Sequence, residues 1–341
     1  MNQVDTQGQE IHLASRPHGE ASLDNFTLVT TDIPSLQSGQ VLVRNSFISV
    51  DPYMRARMND VESYIPPFQL GAPLEGSAIG EVIASKSPDV AVGTAVSHFA
   101  GWRSHAVIDA SNIIPIDLSL ARPEDYLGVL GATGGATGLT AYIALTEAAP
   151  VSDGDVVFIS AAAGAVGSVA GQLARHLGAS TVIGSAGGPE KRQRLLDDFG
   201  FDVALDYQAD PIGQQLAEAA PDGIDVYLDS VGGDHLEAAL DVLRVHGSIA
   251  LVGAISSYNA TGPVPGPRDF ARTVAKRLSL QGMLVLDHMD KYPQFLQEVA
   301  PLVSDGTLKV TETVVDGLDN APEAFLGVLR GDNIGKMLVR L

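Results

Sequence analysis

Between Asp155 and Arg175 the chain carries no charge, and its pattern changes halfway along. Residues 156–161, VVFISA, form a short β-branched apolar run, whereas residues 165–178, AVGSVAGQLARHLG, are helix formers at helical spacing. A membrane span needs about 20 apolar residues of one pattern. Ser160, Gly164, Gly167, Ser168 and Gly171 interrupt this stretch, and charged residues bound it tightly. A buried strand that turns sharply into a helix fits both halves.

From about residue 150 the same unit repeats. VVFISA is followed by a helix, then TVIGSA (181–186), a charged helix from Pro189, and VALDY (203–207). Further helices precede IDVYLDS (224–230) and SIALVGA (248–254). Strands this apolar, separated by helices, imply a parallel sheet covered on both faces, an α/β doubly wound architecture. Its topology sends ligands to the carboxyl ends of the strands. Before residue 130 the texture differs: GQVLVRNSFISV, EGSAIGEVIAS and AVSHFAGWRSHAVID are short runs separated by Gly and Pro, as in an antiparallel, barrel-like β domain. The chain ends in strand (TETVV), helix (APEAFLGVL) and strand (KMLVRL), expected to rejoin the first domain. The expected organisation is therefore 1–130, 131–308 and a returning segment 309–341, with a ligand crevice between the domains. Residues 260–270, ATGPVPGPRDF, read as a loop placed to act as a lid.

The formal charge of −20 argues against a nucleic-acid partner. Lys191, Arg192 and Arg194 form a cationic cluster sized for one phosphate, though a solvated helix face explains the two arginines equally well. Cysteine is absent, which excludes disulfides, thiolate nucleophiles and cysteine-ligated zinc. The N-terminal residues show no basic start followed by an apolar run, so a cytoplasmic protein is expected.

At the strand-to-helix junction Ala161-x-x-Gly164-x-x-Gly167 resembles a dinucleotide fingerprint, with Ala where the first glycine is usual. Small residues let the backbone turn and approach a pyrophosphate at the helix N-terminus; close helix packing is the alternative reason for them. An NAD site places a carboxylate about 20 residues further on, for the ribose 2′-hydroxyl. Here the second strand ends in Gly184-Ser185-Ala186-Gly187-Gly188, with Lys191 in the next helical turn, which suits the 2′-phosphate of NADPH.

Nine segments, in order, carry a family resemblance: SVDPYMRARM (49–58), ESYIPPFQLGAPLEGSAIGEVIAS (62–85), HFAGWRSHAV (98–107), GLTAY (138–142), AAAGAVGSVAGQLA (161–174), GSAGGPEK (184–191), VGGD (231–234), GAISSYN (253–259) and GDNIGKMLV (331–339). On these the chain resembles the zinc-independent medium-chain dehydrogenase/reductase superfamily. Within it, the likeness is to the NADPH-dependent alkene reductases, the group of prostaglandin reductases, plant double-bond reductases and bacterial curcumin reductases. The resemblance implies a doubly wound dinucleotide domain, a GroES-like β-barrel-type domain, NADPH as coenzyme, a small-molecule enone substrate and a homodimer. It also implies that Ala163, Gly164, Ala165, Val166 and Gly167 hold the pyrophosphate, and that Lys191 and Tyr207 contact the 2′-phosphate ribose in a pocket shaped by Ser185 and Gly187. By the same likeness Thr140, Met283 and Val285 lie near the nicotinamide, and Ser230, Ile255, Tyr258 and Asn333 reach the coenzyme. Three positions depart from the pattern. A tyrosine that anchors the substrate oxygen in many members is Ala275 here, a usual proline is Thr137, and the usual DNVGG is DSVGG with Ser230.

Reducing a double bond conjugated to a carbonyl needs a hydride at the β-carbon and a donor for the developing enolate oxygen. The eight histidines show no H-x-x-x-H or H-E-x-x-H spacing, so no metal is expected. Phenols remain as donors. Tyr53 and Tyr64 are the candidate catalytic and substrate-binding residues, with Tyr258 and Trp102 as further substrate contacts. Core packing explains any of these aromatics, and Ile65, Pro66, Pro67 and Phe68, equally well. Arg55 and Arg57 read as salt-bridged or solvated, with attraction of an anionic substrate the lesser reading. The expected activity is NADPH-dependent reduction of α,β-unsaturated ketones or aldehydes. Quinone reduction, or coenzyme binding without catalysis, is the alternative.

Overall fold

A computed structural model describes residues 6–133 and 136–341, and the chain divides into two compact units. The first comprises residues 1–136 with 312–341, the second residues 137–311.

The first unit opens with β1 (Gln7–Leu13) and β2 (Phe26–Asp32), an antiparallel pair. β3 (Gln40–Ser49) leads into a one-turn helix α1 (Met54–Arg57), followed by β4 (Ala78–Ser85), β5 (Ala95–His98), β6 (His105–Asp109) and the short β7 (Ile114–Pro115). In β3, Val41, Leu42 and Val43 are all buried, so side chains on both faces are covered, and the strand is paired on its edges with β4 and β6.

The second unit alternates strand and helix. After α2 (Thr137–Ile143) come β8 (Val156–Ile159), α3 (Ala165–His176), β9 (Thr181–Ala186), α4 (Pro189–Asp197) and β10 (Val203–Asp206). Then follow α5 (Ile212–Ala219), β11 (Ile224–Asp229), α6 (Gly233–Val242), β12 (Leu243–Leu251), α7 (Ala271–Lys276), β13 (Ser279–Gly282) and α8 (Tyr292–Ser304). All six strands are parallel, in the order β10-β9-β8-β11-β12-β13. Renumbered from β8, that is the doubly wound order 3-2-1-4-5-6, whose direction of winding reverses between β8 and β11. Phe158 and Tyr227 stack across those two central strands, with ring centroids 4.9 Å apart. The sequence reading missed β13 altogether and started β12 at Ser248, five residues late.

The chain returns to the first unit with β14 (Glu312–Asp316), α9 (Ala321–Arg330) and β15 (Lys336–Arg340). β15 pairs antiparallel with β3 and parallel with β14, completing a seven-stranded sheet. Ala321, Ala324, Phe325 and Val328 lie on one stripe of α9 by their spacing, and all are buried. Phe325 meets Phe26 and Trp102 edge to face, while Phe26 and Trp102 stack nearly parallel at 6.2 Å. Truncating an aromatic in such a core costs about 3–5 kcal/mol, which is what binds the terminal helix to this unit.

Candidate functional site

Parallel strands put their carboxyl ends along one rim of the second unit. Ala163–Gly167 follow β8, Gly187 follows β9 and Tyr207 follows β10. Ser230 follows β11, Ile255 and Tyr258 lie past β12, and Met283 and Val285 lie past β13. Topology thus brings together residues scattered over more than a hundred positions. Ser185 sits inside β9, one residue from its end; Lys191 is in the first turn of α4; Thr140 is in the middle of α2.

The turn after β8 explains its own composition. Ala161, in the place of the usual first glycine, has φ +47°. That left-handed conformation costs a non-glycine residue about 1–2 kcal/mol. Gly164 N–H donates to Ala161 O at 2.9 Å, closing the turn, and Gly164 caps α3. At Gly167 a Cβ would lie 2.5 Å from Ala161 O and 2.6 Å from Ala162 Cα, backbone atoms that cannot move aside. The first amides of α3 have no carbonyl ahead of them in the helix, so they and the helix dipole face whatever sits on the turn. An anion fits there.

The turn after β9 is flanked instead by the ends of flexible side chains, which can move aside. A Cβ on Gly187 would lie 2.7 Å from Gln208 Nε2 and 2.9 Å from Tyr207 Oη. The Ser185 hydroxyl is buried with no hydrogen-bond partner among the described residues. Of the neighbouring cations, Arg192 Nε donates to Ala204 O at 2.9 Å and Arg194 pairs with Asp198, so both serve the helix and its strand. The residues present therefore fit a dinucleotide with a phosphate at its adenosine end.

Two carboxylates that shape this rim were not anticipated. Asp206 Oδ1 accepts the N–H groups of Gly188 at 2.9 Å and Gln208 at 3.0 Å, locking the turns after β9 and β10 together. Asp229 Oδ1 accepts from Tyr227 Oη at 2.7 Å, Val231 N–H at 2.9 Å and Gly232 N–H at 2.8 Å. Ser230 N–H donates to Ser160 Oγ at 2.9 Å, tying β11 to β8 where the winding reverses. Burial, reinforced by the Asp229 carboxylate, pushes the Tyr227 phenol well above its ordinary pKa and keeps it a donor. The only sequence signal for Asp229 was its place at the head of DSVGG.

The first unit holds Tyr53, Tyr64, Trp102 and Asn333. Tyr53 stands on the tight turn between β3 and α1. That turn is anchored by Asp51, which accepts from Lys336 Nζ at 2.7 Å and from Ser49 Oγ at 2.5 Å. The Tyr53 hydroxyl is buried and has no hydrogen-bond partner among the described residues. Burial first, then the Asp51 carboxylate, raise its pKa well above the ordinary phenol value, so it is protonated at any physiological pH. Arg57 pairs with Glu75 at 2.9 Å and lies over the Phe68 ring at 4.0 Å, and Arg55 Nη2 donates to Gly19 O at 2.5 Å; both arginines are buried and structural. Tyr64 is 56% exposed. The Asn333 amide donates to Gly335 O at 2.7 Å.

Trp102 is a correction: it is wholly buried in the aromatic core with Phe26 and Phe325, and is a packing residue rather than a wall for substrate. Tyr258 is in the second unit, partly buried, with its phenol pKa raised by that burial. Ala275 is exposed on α7. Among the described residues no group of three or more His, Asp or Glu is placed to hold a metal ion.

Residues 9–116 match a family model described as the N-terminal domain of oxidoreductase, and residues 165–301 one described as zinc-binding dehydrogenase. The chain is 37% identical over 334 residues to the NADPH-dependent curcumin reductase of Escherichia coli, covering 96% of this chain and 95% of that protein. It is 37% identical over 308 residues to the NADP(+)-dependent 2-alkenal reductase of Nicotiana tabacum, covering 89% and 87%. The crystal structure of CurA from Vibrio vulnificus in complex with NADPH matches with a TM-score of 0.90 at 36% identity, covering 97% of this chain and 98% of that one. With identity at this level over nearly its whole length, the chain belongs to the NADPH-dependent alkene reductase group of the medium-chain dehydrogenase/reductase superfamily.

Proposed function

We propose that this protein reduces the carbon–carbon double bond of α,β-unsaturated ketones or aldehydes with NADPH and without a metal. The chain is an NADP-dependent oxidoreductase of the alkenal, curcumin and prostaglandin reductase type; the substrate class and the roles of the residues are the proposal. In this reading the second unit holds the coenzyme, the first supplies the substrate's surroundings, and the protein acts as a cytoplasmic homodimer.

The observation that carries it is the buried, protonated phenol of Tyr53, without a hydrogen-bond partner among the described residues, in a chain whose other unit offers a dinucleotide cradle. Bound NADPH supplies the hydride that the β-carbon accepts. Negative charge then develops on the carbonyl oxygen, and a neutral phenol is the donor that chemistry needs. Tyr53 is that donor, on a turn held rigid by the Asp51–Lys336 pair. Tyr64, which is exposed, assists it in binding substrate, and Tyr258 contacts coenzyme or substrate. With Ala275 in place of a tyrosine, the enolate donor has to come from elsewhere, and Tyr53 meets the requirement. Around the coenzyme, Ala163–Gly167 receive the pyrophosphate and Lys191, Tyr207, Ser185 and Gly187 the 2′-phosphate ribose. Thr140, Met283 and Val285 lie towards the nicotinamide, and Ser230, Ile255 and Asn333 complete the contacts.

The test is NADPH oxidation with 3-nonen-2-one against benzoquinone, with the saturated ketone identified as product. Brisk quinone turnover without saturated ketone replaces the proposal with quinone reduction. Tight NADPH binding without oxidation across a panel of enones replaces it with a catalytically silent coenzyme-binding protein. A Lys191→Ala variant is expected to lose about tenfold in preference for NADPH over NADH, the scale of one charge-assisted contact.

A further inference from the structure

His235 stands outside the residues marked by the family resemblance, and its surroundings are unusual. It lies in the first turn of α6, three residues past Gly232, and so at the carboxyl-end rim rather than in the body of the unit. It is 6% exposed, and its Nε2 is buried with no hydrogen-bond partner among the described residues. Its ring meets Tyr207 edge to face, 5.5 Å between centroids at 72°. Tyr207 in turn reaches the Gly187 turn, where a built Cβ would sit 2.9 Å from its Oη. A chain of contacts thus runs from α6 to the turn after β9, through a tyrosine that keeps 42% of its surface exposed.

For stability alone this arrangement is a loss. An unpaired buried nitrogen costs about 1–3 kcal/mol, whereas phenylalanine would keep the ring contact without it. Burial lowers the imidazole's proton affinity, against the opposing pull of Asp229 and Asp234, so the ring is neutral and has one donor and one acceptor nitrogen. The orphaned Ser185 hydroxyl belongs to the strand that leads into the same Gly187 turn.

We propose that His235 is a coenzyme-contacting residue, its Nε2 hydrogen-bonding the 2′-phosphoadenosine end of NADPH and its ring holding Tyr207 beside that end. The inference rests on the coenzyme reading above. It adds a residue on α6 to a pocket otherwise built from β9, α4 and the turn after β10.

Calorimetric titration of the full chain with NADPH and with 2′,5′-ADP, which carries the adenosine end alone, tests it. His235→Phe keeps the ring contact and removes the nitrogen, and His235→Gln restores a polar atom at similar reach. For His235→Phe the expected result is about tenfold weaker binding of both ligands by the same factor, with an unchanged or higher melting temperature of the ligand-free protein. His235→Gln should recover most of the loss. Wild-type affinity of His235→Phe for 2′,5′-ADP overturns the inference, as does a loss confined to NADPH. A lowered ligand-free melting temperature without rescue by glutamine makes the residue structural. A wild-type protein that binds neither ligand overturns the coenzyme reading itself, which separates the two failures.

Discussion

Buried polar groups are treated differently in the two units. In the first, the Tyr53 hydroxyl and the Trp102 indole N–H are without partners among the described residues, but the carboxylate, imidazole and amide groups around the Tyr53 turn and β5 are closed. Asp51 is held by Lys336 and Ser49. His98 accepts the Ala100 N–H on Nδ1 at 3.1 Å and donates from Nε2 to Asn45 Oδ1 at 2.9 Å, and the Asn45 amide donates on to Arg103 O at 2.8 Å. Along the sheet rim of the second unit, Ser185 Oγ, Asp229 Oδ2 and His235 Nε2 are buried without partners among the described residues. Closed groups hold a fold together, and open ones weaken it. Open groups gathered on the rim where topology directs a ligand therefore point to binding.

Breaking a closed group should have the largest effect. Lys336→Met leaves Asp51 charged and buried, and is expected to cost about 3–5 kcal/mol in urea unfolding. Asp51→Leu combined with Lys336→Met should recover most of it, because the pair is worth far less than the orphan. A cost under about 1 kcal/mol for the single variant would show that the turn is not closed in the sense argued.

Acid opens a second closed group. Burial, then Arg103, lower the His98 pKa to about 3, against 6.5 in the unfolded chain. Below pH 6.5 the unfolded state takes up a proton that the native state refuses. Stability contributed by neutral His98 is thus complete above 6.5 and is lost as pH falls towards 3. Between pH 6.5 and 5 that amounts to about 2 kcal/mol at 1.36 kcal/mol per unit. The carbon-bound ring protons of His98 in an NMR titration should show a neutral ring down to pH 4; charging near pH 6 would contradict the closed arrangement.

The same contrast governs what was legible in the sequence. VVFISA and its fellow strands announce a parallel sheet because both faces are covered and every side chain must be apolar. Gly164 and Gly167 are legible because backbone approach excludes a side chain. β13, Ser279-Leu280-Gln281-Gly282, is an edge strand with most of its surface exposed, so no apolar signature betrays it. The start of β12 hides behind Arg244 and a His246 with φ +70°. Asp206 escaped because it accepts from backbone amides, which impose no spacing on other side chains, and Asp229 because two of its donors are backbone amides as well, beside the Tyr227 hydroxyl. Trp102 was ambiguous because a large aromatic suits a core as well as a pocket.

An open group should behave in the opposite way to Lys336. Ser185→Ala removes a hydroxyl that bonds nothing among the described residues, so urea unfolding should change by no more than about 0.5 kcal/mol. NADPH affinity, measured by fluorescence, should fall about fivefold if that hydroxyl meets the coenzyme. A loss of 2 kcal/mol in stability with affinity intact would move Ser185 to the closed class.

The smallest stability effect is expected at Tyr53, an open group of the first unit on the turn that Asp51 holds. Tyr53→Phe deletes an unpartnered hydroxyl and keeps the ring, so stability at pH 7 should be unchanged or slightly higher. The raised phenol pKa fixes the sign at high pH. Folding holds the proton more tightly than the unfolded chain, whose phenol titrates near 10, so the contribution is complete below pH 10 and is lost as pH rises beyond it. The phenylalanine variant lacks that liability and should outlast the wild type in alkaline unfolding. If Tyr53 is the enolate donor, the same substitution lowers kcat for enone reduction by roughly 10²–10⁴-fold, while NADPH affinity is untouched. Retained kcat with unaltered stability would leave the hydroxyl without a role in either, and would transfer the donor to Tyr64 or Tyr258.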